Sequence, residues 1–94
     1  MINPTNVRKR ILRAAILHYG APVQIDKAVE ECAELIRALA RCDDRANISE
    51  EMADVRIMLE QLEMIFGNAE EVRQWEHKKL KRLSARVQEG TVIE

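Results

Sequence analysis

The sequence predicts an all-α protein, because its composition and its apolar spacing both favour helices. Apolar residues make up 47% of the 94-residue chain and aromatic residues only 3%, and glycine and proline are scarce. A β-sandwich or barrel needs many turns and many β-branched or aromatic residues, so this composition disfavours those folds. The apolar content also excludes collagen-like, low-complexity and disordered chains. We therefore expect one small helical domain over residues 1–94.

Apolar residues spaced three and four apart predict four helices, at residues 5–19, 22–41, 48–66 and 69–88. Gly20 ends the first helix, and Pro22 suits the first turn of the second. Asn47 and Asn68 each precede a glutamate by three residues, a spacing typical of a capping box, so we expect them to cap the third and fourth helices. Residues 91–94 are expected to fray. Short connections make successive helices antiparallel, which predicts a four-helix bundle.

The charge balance favours neither nucleic acid nor a membrane as partner. Lys and Arg number 15 and Asp and Glu number 16, which gives a net charge of −1. No stretch reaches the roughly 18 to 20 apolar residues of a membrane span, and no signal-peptide pattern is present. Cys32 and Cys42 lie in a helical pattern without metal-ligand spacing, so we expect free thiols and a cytoplasmic location.

Acidic side chains fall on helix faces that should be apolar. On the third helix, Glu51 lies inside the apolar arc and Asp54 lies at its edge. On the second helix, Glu31 lies roughly 60° from the apolar stripe, and Glu34 lies further round on the same side. Burying an ionised carboxylate is costly unless it is paired, hydrogen-bonded or bound to a metal. The apolar stripe comprises Ala28, Cys32, Leu35 and Leu39, and the arc comprises Met52, Val55, Met58, Leu59, Leu62, Ile65 and Phe66.

Two acidic pairs on antiparallel neighbouring helices would bring four negative charges together. Such charges repel one another strongly, so we expect a cation among them. Oxygen ligands suit Mg²⁺ or Mn²⁺, and Mg²⁺ also takes phosphate oxygens, which favours a magnesium–polyphosphate ligand. The alternative is that these acids lie at the surface and pair with Lys27, Arg37 or Arg56 at helical spacing.

The spacing of the acids also carries a family resemblance. The run EECAE at residues 30–34 and the run EEMAD at residues 50–54 resemble the E-x-x-E … E-x-x-D signature of the MazG-like all-α NTP pyrophosphohydrolases. The resemblance covers about residues 20–66, and the chain looks most like the short single-domain members. It implies a MazG-like helical fold, and hydrolysis of an NTP or dNTP to the monophosphate and pyrophosphate with Mg²⁺ as cofactor.

The resemblance further implies roles for individual residues. It implies that the metal ligands are Glu31, Glu34, Glu51 and Asp54. A metal-activated water would attack the α-phosphorus of the nucleotide. Glu51 and Glu34 are the candidate catalytic residues, and Glu34 is the candidate proton acceptor because it points least toward the core.

Three further residues are candidate substrate ligands. Lys79 and Arg82 lie on the basic fourth helix and suit phosphate groups, although a basic helix end also complements the helix dipole. Gln24 precedes the first acidic pair, at a place where the resemblance implies contact with the base. Tyr19 and Trp75 could stack on a nucleobase, whereas simple packing is the alternative.

A second apolar arc on the third helix, at Ala53, Ile57 and Met64, predicts an oligomer. A helix that is apolar on two sides packs between two partners. This short chain has few other residues with which to cover the second apolar side of the third helix. We expect a homodimer or homotetramer, and the resemblance implies the same. The alternative function is a non-catalytic helical oligomer that acts as a regulatory or interaction module. Nucleic-acid binding through the fourth helix is a third possibility, which the net charge disfavours.

Overall fold

Four helices make up most of residues 3–90, the part of the chain that the structure, a computed structural model, describes. They are α1 (Pro4–Tyr19), α2 (Ala21–Ala40), α3 (Arg45–Phe66) and α4 (Ala69–Gln88). No strand occurs within residues 3–90, so the predicted all-α class is confirmed. The predicted tail at residues 91–94 lies outside the described residues.

Local hydrogen bonds and one glycine fix the ends of α1. The Asn3 side chain accepts a hydrogen bond from the backbone N–H of Thr5 at 2.8 Å, which caps the first turn. Gly20 adopts a φ of 92°, which a residue with a side chain rarely takes, and its N–H donates to the carbonyl of Ile16. Pro22 lies in the first turn of α2, as predicted.

The helix α3 begins three residues before the predicted position. Asp44, and not Asn47, is the N-cap residue, and its side chain accepts a hydrogen bond from the backbone N–H of Asn47 at 2.9 Å. The Asn47 side chain instead donates to Asp43 at 2.7 Å. The prediction was wrong because several residues in this connection can cap a helix, and the sequence pattern did not distinguish between them.

The connection between α3 and α4 also differs from the capping-box prediction. Gly67 ends α3 in the left-handed conformation, with a φ of 63°. Asn68 precedes α4, but its side chain makes no capping hydrogen bond. Its Oδ1 atom is buried without a partner among residues 3–90. The first turn of α4 is therefore stabilised by Glu70 and Glu71, whose charges favour the helix N-terminus.

The core lies mainly between α2 and α3, which form the largest helix–helix contact, and α1 packs against both. Gln24 of α2 lies beside Gln61 of α3, and Glu31 lies beside Asp54, so the two helices run antiparallel. The buried set among residues 3–90 is small, and it consists of Leu12, Gln24, Ala28, Ala38, Met58 and Gln61.

The buried faces of α2 and α3 are rotated from the predicted apolar stripes. On α2, Ala28 is buried as predicted, whereas Cys32 and Leu39 are exposed. On α3, Met58 is buried, whereas Leu59 and Phe66 are more than half exposed. Apolar residues cover a wide arc of both helices, so the middle of that arc did not coincide with the face that makes the contact.

The last helix, α4, leaves the bundle instead of completing it. None of its residues is buried, and its large apolar side chains, including Trp75 and Leu80, are exposed. The radius of gyration is 16.5 Å, compared with about 12 Å expected for a compact chain of this length. Within residues 3–90, the packed part of the protein is therefore the three-helix unit α1–α3. No helix in this range is long and apolar enough to cross a membrane.

Replacing Asp44 by Ala should lower the free energy of unfolding by about 1 kcal/mol, because the first turn of α3 loses its side-chain cap. Asp44→Asn should retain most of the stability. Asn68→Ala is the matched comparison, since the Asn68 side chain makes no capping hydrogen bond. Urea denaturation followed by circular dichroism measures all three variants. Equal losses for Asp44→Ala and Asn68→Ala would contradict the assignment of the caps.

Candidate functional site

Three of the four predicted carboxylates meet between α2 and α3. One carboxylate oxygen each of Glu31, Glu51 and Asp54 lies within 4.8 Å of the other two. All three residues are partly buried. Oxygen atoms at such spacing can share one cation, although exposed acids also cluster without one.

Helical spacing and the antiparallel contact together place these side chains. Glu51 and Asp54 are three residues apart, so they share one face of α3. That face contains Met58 and Gln61 one and two turns further on, and it packs against α2. Glu31 lies two turns after Gln24 on the inner side of α2, which brings it level with Asp54.

The electrostatics of the site disfavour three free anions. Partial burial raises the pKa of the Glu51 carboxyl above its usual value, and the negative charges of Glu34, Asp54 and Glu31 raise it further. Within residues 3–90, Lys27 forms an ion pair with one member of this group, since its Nζ lies 3.3 Å from a carboxylate oxygen of Glu31. A single lysine leaves the group with net negative charge, so a further cation would relieve the repulsion.

Glu34 lies outside the group that could share one ion. Its side chain is 46% exposed and pairs with Arg37 at 3.0 Å. It still lies close enough to raise the pKa of Glu51. The structure thus brings Glu31, Glu51 and Asp54 together and leaves Glu34 at the edge, where its carboxylate reaches solvent.

A groove of about 560 Å³ runs along this side of the α2–α3 contact. Glu31 and Asp54 line one part of it, and Tyr19, at the end of α1, lines another. Its walls also include apolar side chains, among them Val23 and Ile57. The groove therefore has an acidic end and an apolar and aromatic surface. Such a groove suits a ligand that has a charged part and a flat part.

A buried pair of amides lies in the same groove. The Nε2 atom of Gln24 donates to the Oε1 atom of Gln61 at 2.7 Å, and both residues are buried. Gln24 was predicted as a substrate ligand, and it does line the groove. Sequence reasoning missed Gln61, although its position two turns after Asp54 on the inner face of α3 was a usable signal.

The structure does not bring the predicted basic residues to the carboxylates of the same chain. Lys79 and Arg82 are exposed on α4, and neither lines the groove that contains Glu31 and Asp54. The Nζ of Lys79 instead lies 5.9 Å from the centre of the Trp75 ring. Trp75 is therefore in contact with cations of its own helix, and it does not line the groove.

Comparison with known proteins identifies no relative of this chain. No protein-family model, no curated protein and no solved structure matches the chain. The site must therefore be interpreted from its own chemistry.

Glu51→Gln should stabilise the metal-free protein at neutral pH. The raised pKa of Glu51 means that folding favours the protonated carboxyl, so the wild type loses stability as pH rises from the unfolded-state pKa to the folded-state pKa. The gain in stability of Glu51→Gln over the wild type should disappear at a pH well below the usual pKa range of glutamate. Thermal unfolding in EDTA at acidic and neutral pH measures this difference.

Glu50→Gln is the control, because Glu50 is the exposed neighbour on the same helix. At neutral pH, Glu50→Gln should change the melting temperature less than Glu51→Gln does. A Glu51→Gln gain that stays constant with pH would contradict the electrostatic interpretation.

Proposed function

We propose that the protein is a Mg²⁺-dependent nucleoside triphosphate pyrophosphohydrolase, which hydrolyses an NTP or dNTP to the monophosphate and pyrophosphate. The observation that supports this most directly is the convergence of Glu31, Glu51 and Asp54, which combines partial burial with a raised Glu51 pKa. The spacing of the two acidic pairs, which resembles that of the MazG-like enzymes, supports the same proposal.

The donor set suits a hard divalent cation. Three carboxylates supply only oxygen ligands, which Mg²⁺ and Mn²⁺ prefer, and no cysteine or histidine belongs to the group. Glu31, Glu51 and Asp54 would hold the ion. When bound, such an ion lowers the pKa of a water and neutralises charge on the phosphate oxygens.

The protein's own residues would then orient the nucleotide and accept a proton. Glu34 lies beside the three ligands and remains solvent-accessible, which suits a group that takes the proton of the attacking water. The water oxygen bonds to the α-phosphorus while the bond to the bridging oxygen breaks, and pyrophosphate leaves with that oxygen. Water is the only co-reactant, so the monophosphate and pyrophosphate account for every atom.

The groove offers separate surfaces for the two parts of a nucleotide. The triphosphate would lie at the acidic end through the bound cation, and the base would lie toward Tyr19 and Gln24. Lys79 and Arg82 remain candidate phosphate ligands. Because neither lines the groove of its own chain, they would have to reach it from another copy.

A non-catalytic helical oligomer is the second candidate. The large exposed apolar area on all four helices favours assembly, whatever the site does. The acidic groove would then bind a basic segment of a partner, and nucleotides would not be turned over. Assays for metal binding and for hydrolysis distinguish the two candidates.

Mg²⁺ or Mn²⁺ should raise the melting temperature of the wild type in proportion to the logarithm of its concentration. Asp54→Asn should abolish this shift, because it removes one of three ligand carboxylates. Glu63→Gln is the matched control on the same helix, outside the acidic group. Isothermal titration calorimetry checks the stoichiometry. Equal metal-induced shifts for wild type and Asp54→Asn would exclude this group as the metal site.

Glu51→Gln should lower the rate of nucleotide hydrolysis by at least about 100-fold, as expected when a ligand of the catalytic ion is lost. Release of pyrophosphate is measured with added pyrophosphatase over the eight common NTPs and dNTPs. Circular dichroism of the variant should match that of the wild type. Turnover of every nucleotide by Glu51→Gln at the wild-type rate would refute the role of Glu51, and a wild type that hydrolyses none with either metal would favour the interaction module.

A further inference from the structure

A second cavity, of about 850 Å³, lies between α1, α3 and the start of α4. Part of its wall is apolar and includes Leu59 and Met64 of α3. Cationic side chains from all three helices also line it, and we define them as the basic cluster. The basic cluster consists of Arg8, Lys9 and Arg13 of α1, Arg56 of α3 and Arg73 of α4. These positive charges therefore converge on one concave surface instead of being spread along a single helix.

The cavity and the acidic groove lie on opposite faces of α3. Met58 and Gln61 line the groove, whereas Glu60 and Glu63, each two positions further along the helix, line the cavity. Two positions correspond to a rotation of about 200° around the helix axis. No residue within 3–90 lines both. The basic cluster is thus separate from the carboxylates that could share a cation.

Three glutamates also line the cavity, and their charges act mainly on two of the arginines. The Nε atom of Arg8 donates to Glu60 at 2.7 Å, and Arg73 pairs with Glu70. The hydrogen bond and the charge of Glu70 raise the pKa of Arg73, and the charge of Glu63 raises it further. The glutamates therefore neutralise part of the basic cluster.

The other cations of the basic cluster remain available to a ligand. Lys9, Arg13 and Arg56 are exposed, and none of them forms an ion pair within residues 3–90. Five cations against three carboxylates leave the cavity with two positive charges in excess. The walls of the cavity therefore attract an anion, and the guanidinium groups of Arg13 and Arg56 offer several N–H donors to it.

We propose that the basic cluster binds a small anion that contains a phosphate group. A guanidinium matches the oxygen atoms of phosphate in a bidentate arrangement, which gives both affinity and orientation. A phosphate monoester has a charge of about −2 at neutral pH, which balances the excess charge of the cavity. The cavity also has space for an organic part of the ligand beside Leu59 and Met64. A long polyanion fits less well, because the three glutamates would repel its further phosphates.

This site does not depend on the proposed hydrolysis, and its test uses no divalent metal. Isothermal titration calorimetry in EDTA at constant ionic strength should show that the wild type binds inorganic phosphate and AMP, since the metal-free acidic groove repels both. Tighter binding of AMP would identify an organic phosphate as the ligand, and equal or weaker binding of AMP would identify free phosphate. A wild type that binds neither at millimolar concentration would overturn the proposal, whether or not the protein hydrolyses nucleotides.

Removal of a cation from the basic cluster tests the location of the site. Arg13→Gln should weaken phosphate binding about tenfold, because it removes a charged hydrogen-bond donor without leaving an acid unpaired. Arg56→Gln should have the same effect from α3. Arg10→Gln is the matched control, since Arg10 is an exposed arginine of α1 that does not line the cavity. Equal losses of affinity in Arg13→Gln and Arg10→Gln would overturn the assignment.

Removal of an acid from the same cavity should have the opposite effect. Glu63→Gln should tighten phosphate binding about threefold, because it removes a negative charge from the wall of the cavity. Glu50→Gln removes a charge of α3 outside the cavity, so it should change the affinity less. Circular dichroism shows whether each variant keeps its helices. Weaker phosphate binding by a fully helical Glu63→Gln would contradict the electrostatic basis of the site.

Discussion

The antiparallel contact between α2 and α3 is the constraint on which the candidate site depends. Each helix alone contains acidic residues that could remain solvated. When the helices pack, Glu31 is brought beside Glu51 and Asp54, and partial burial together with mutual repulsion raises the pKa of Glu51. The apolar packing of α2 against α3 therefore holds these carboxylates together in spite of their mutual repulsion. A cation bound among them would relieve that repulsion, which would favour its binding.

Much of the fold could be predicted from the sequence, because helix periodicity and stop signals are local properties. Gly20 and Gly67 end helices where expected, since both adopt a positive φ. The inward tendency of Glu51 also followed from helical phase. The cap of α3 did not, because Asp44 and Asn47 are both capable of capping and only the three-dimensional turn decides between them.

Tertiary features were harder to predict. Apolar residues extend around most of α2, so the sequence could not show which face contacts α3, and Cys32 was expected in the core although it is exposed. In the described part of the chain, the buried set is correspondingly small and includes two glutamines. A chain of 94 residues with so little buried apolar area gains only modest stability from its own core. Small chains gain further stability in several ways, among them disulfides, a structural metal and oligomerisation.

The buried amide pair has a consequence for the alignment of the two central helices. Gln24 donates a hydrogen bond to Gln61 between the inner faces of α2 and α3, which also contain the buried Ala28 and Met58. If α2 slid along α3 by one turn, about 5.4 Å, each amide would face aliphatic carbon and lose its hydrogen bond. The same displacement would carry Glu31 away from Asp54. A single polar contact thus discriminates against misaligned packings and keeps the acidic residues in mutual reach, as buried polar residues do in coiled coils.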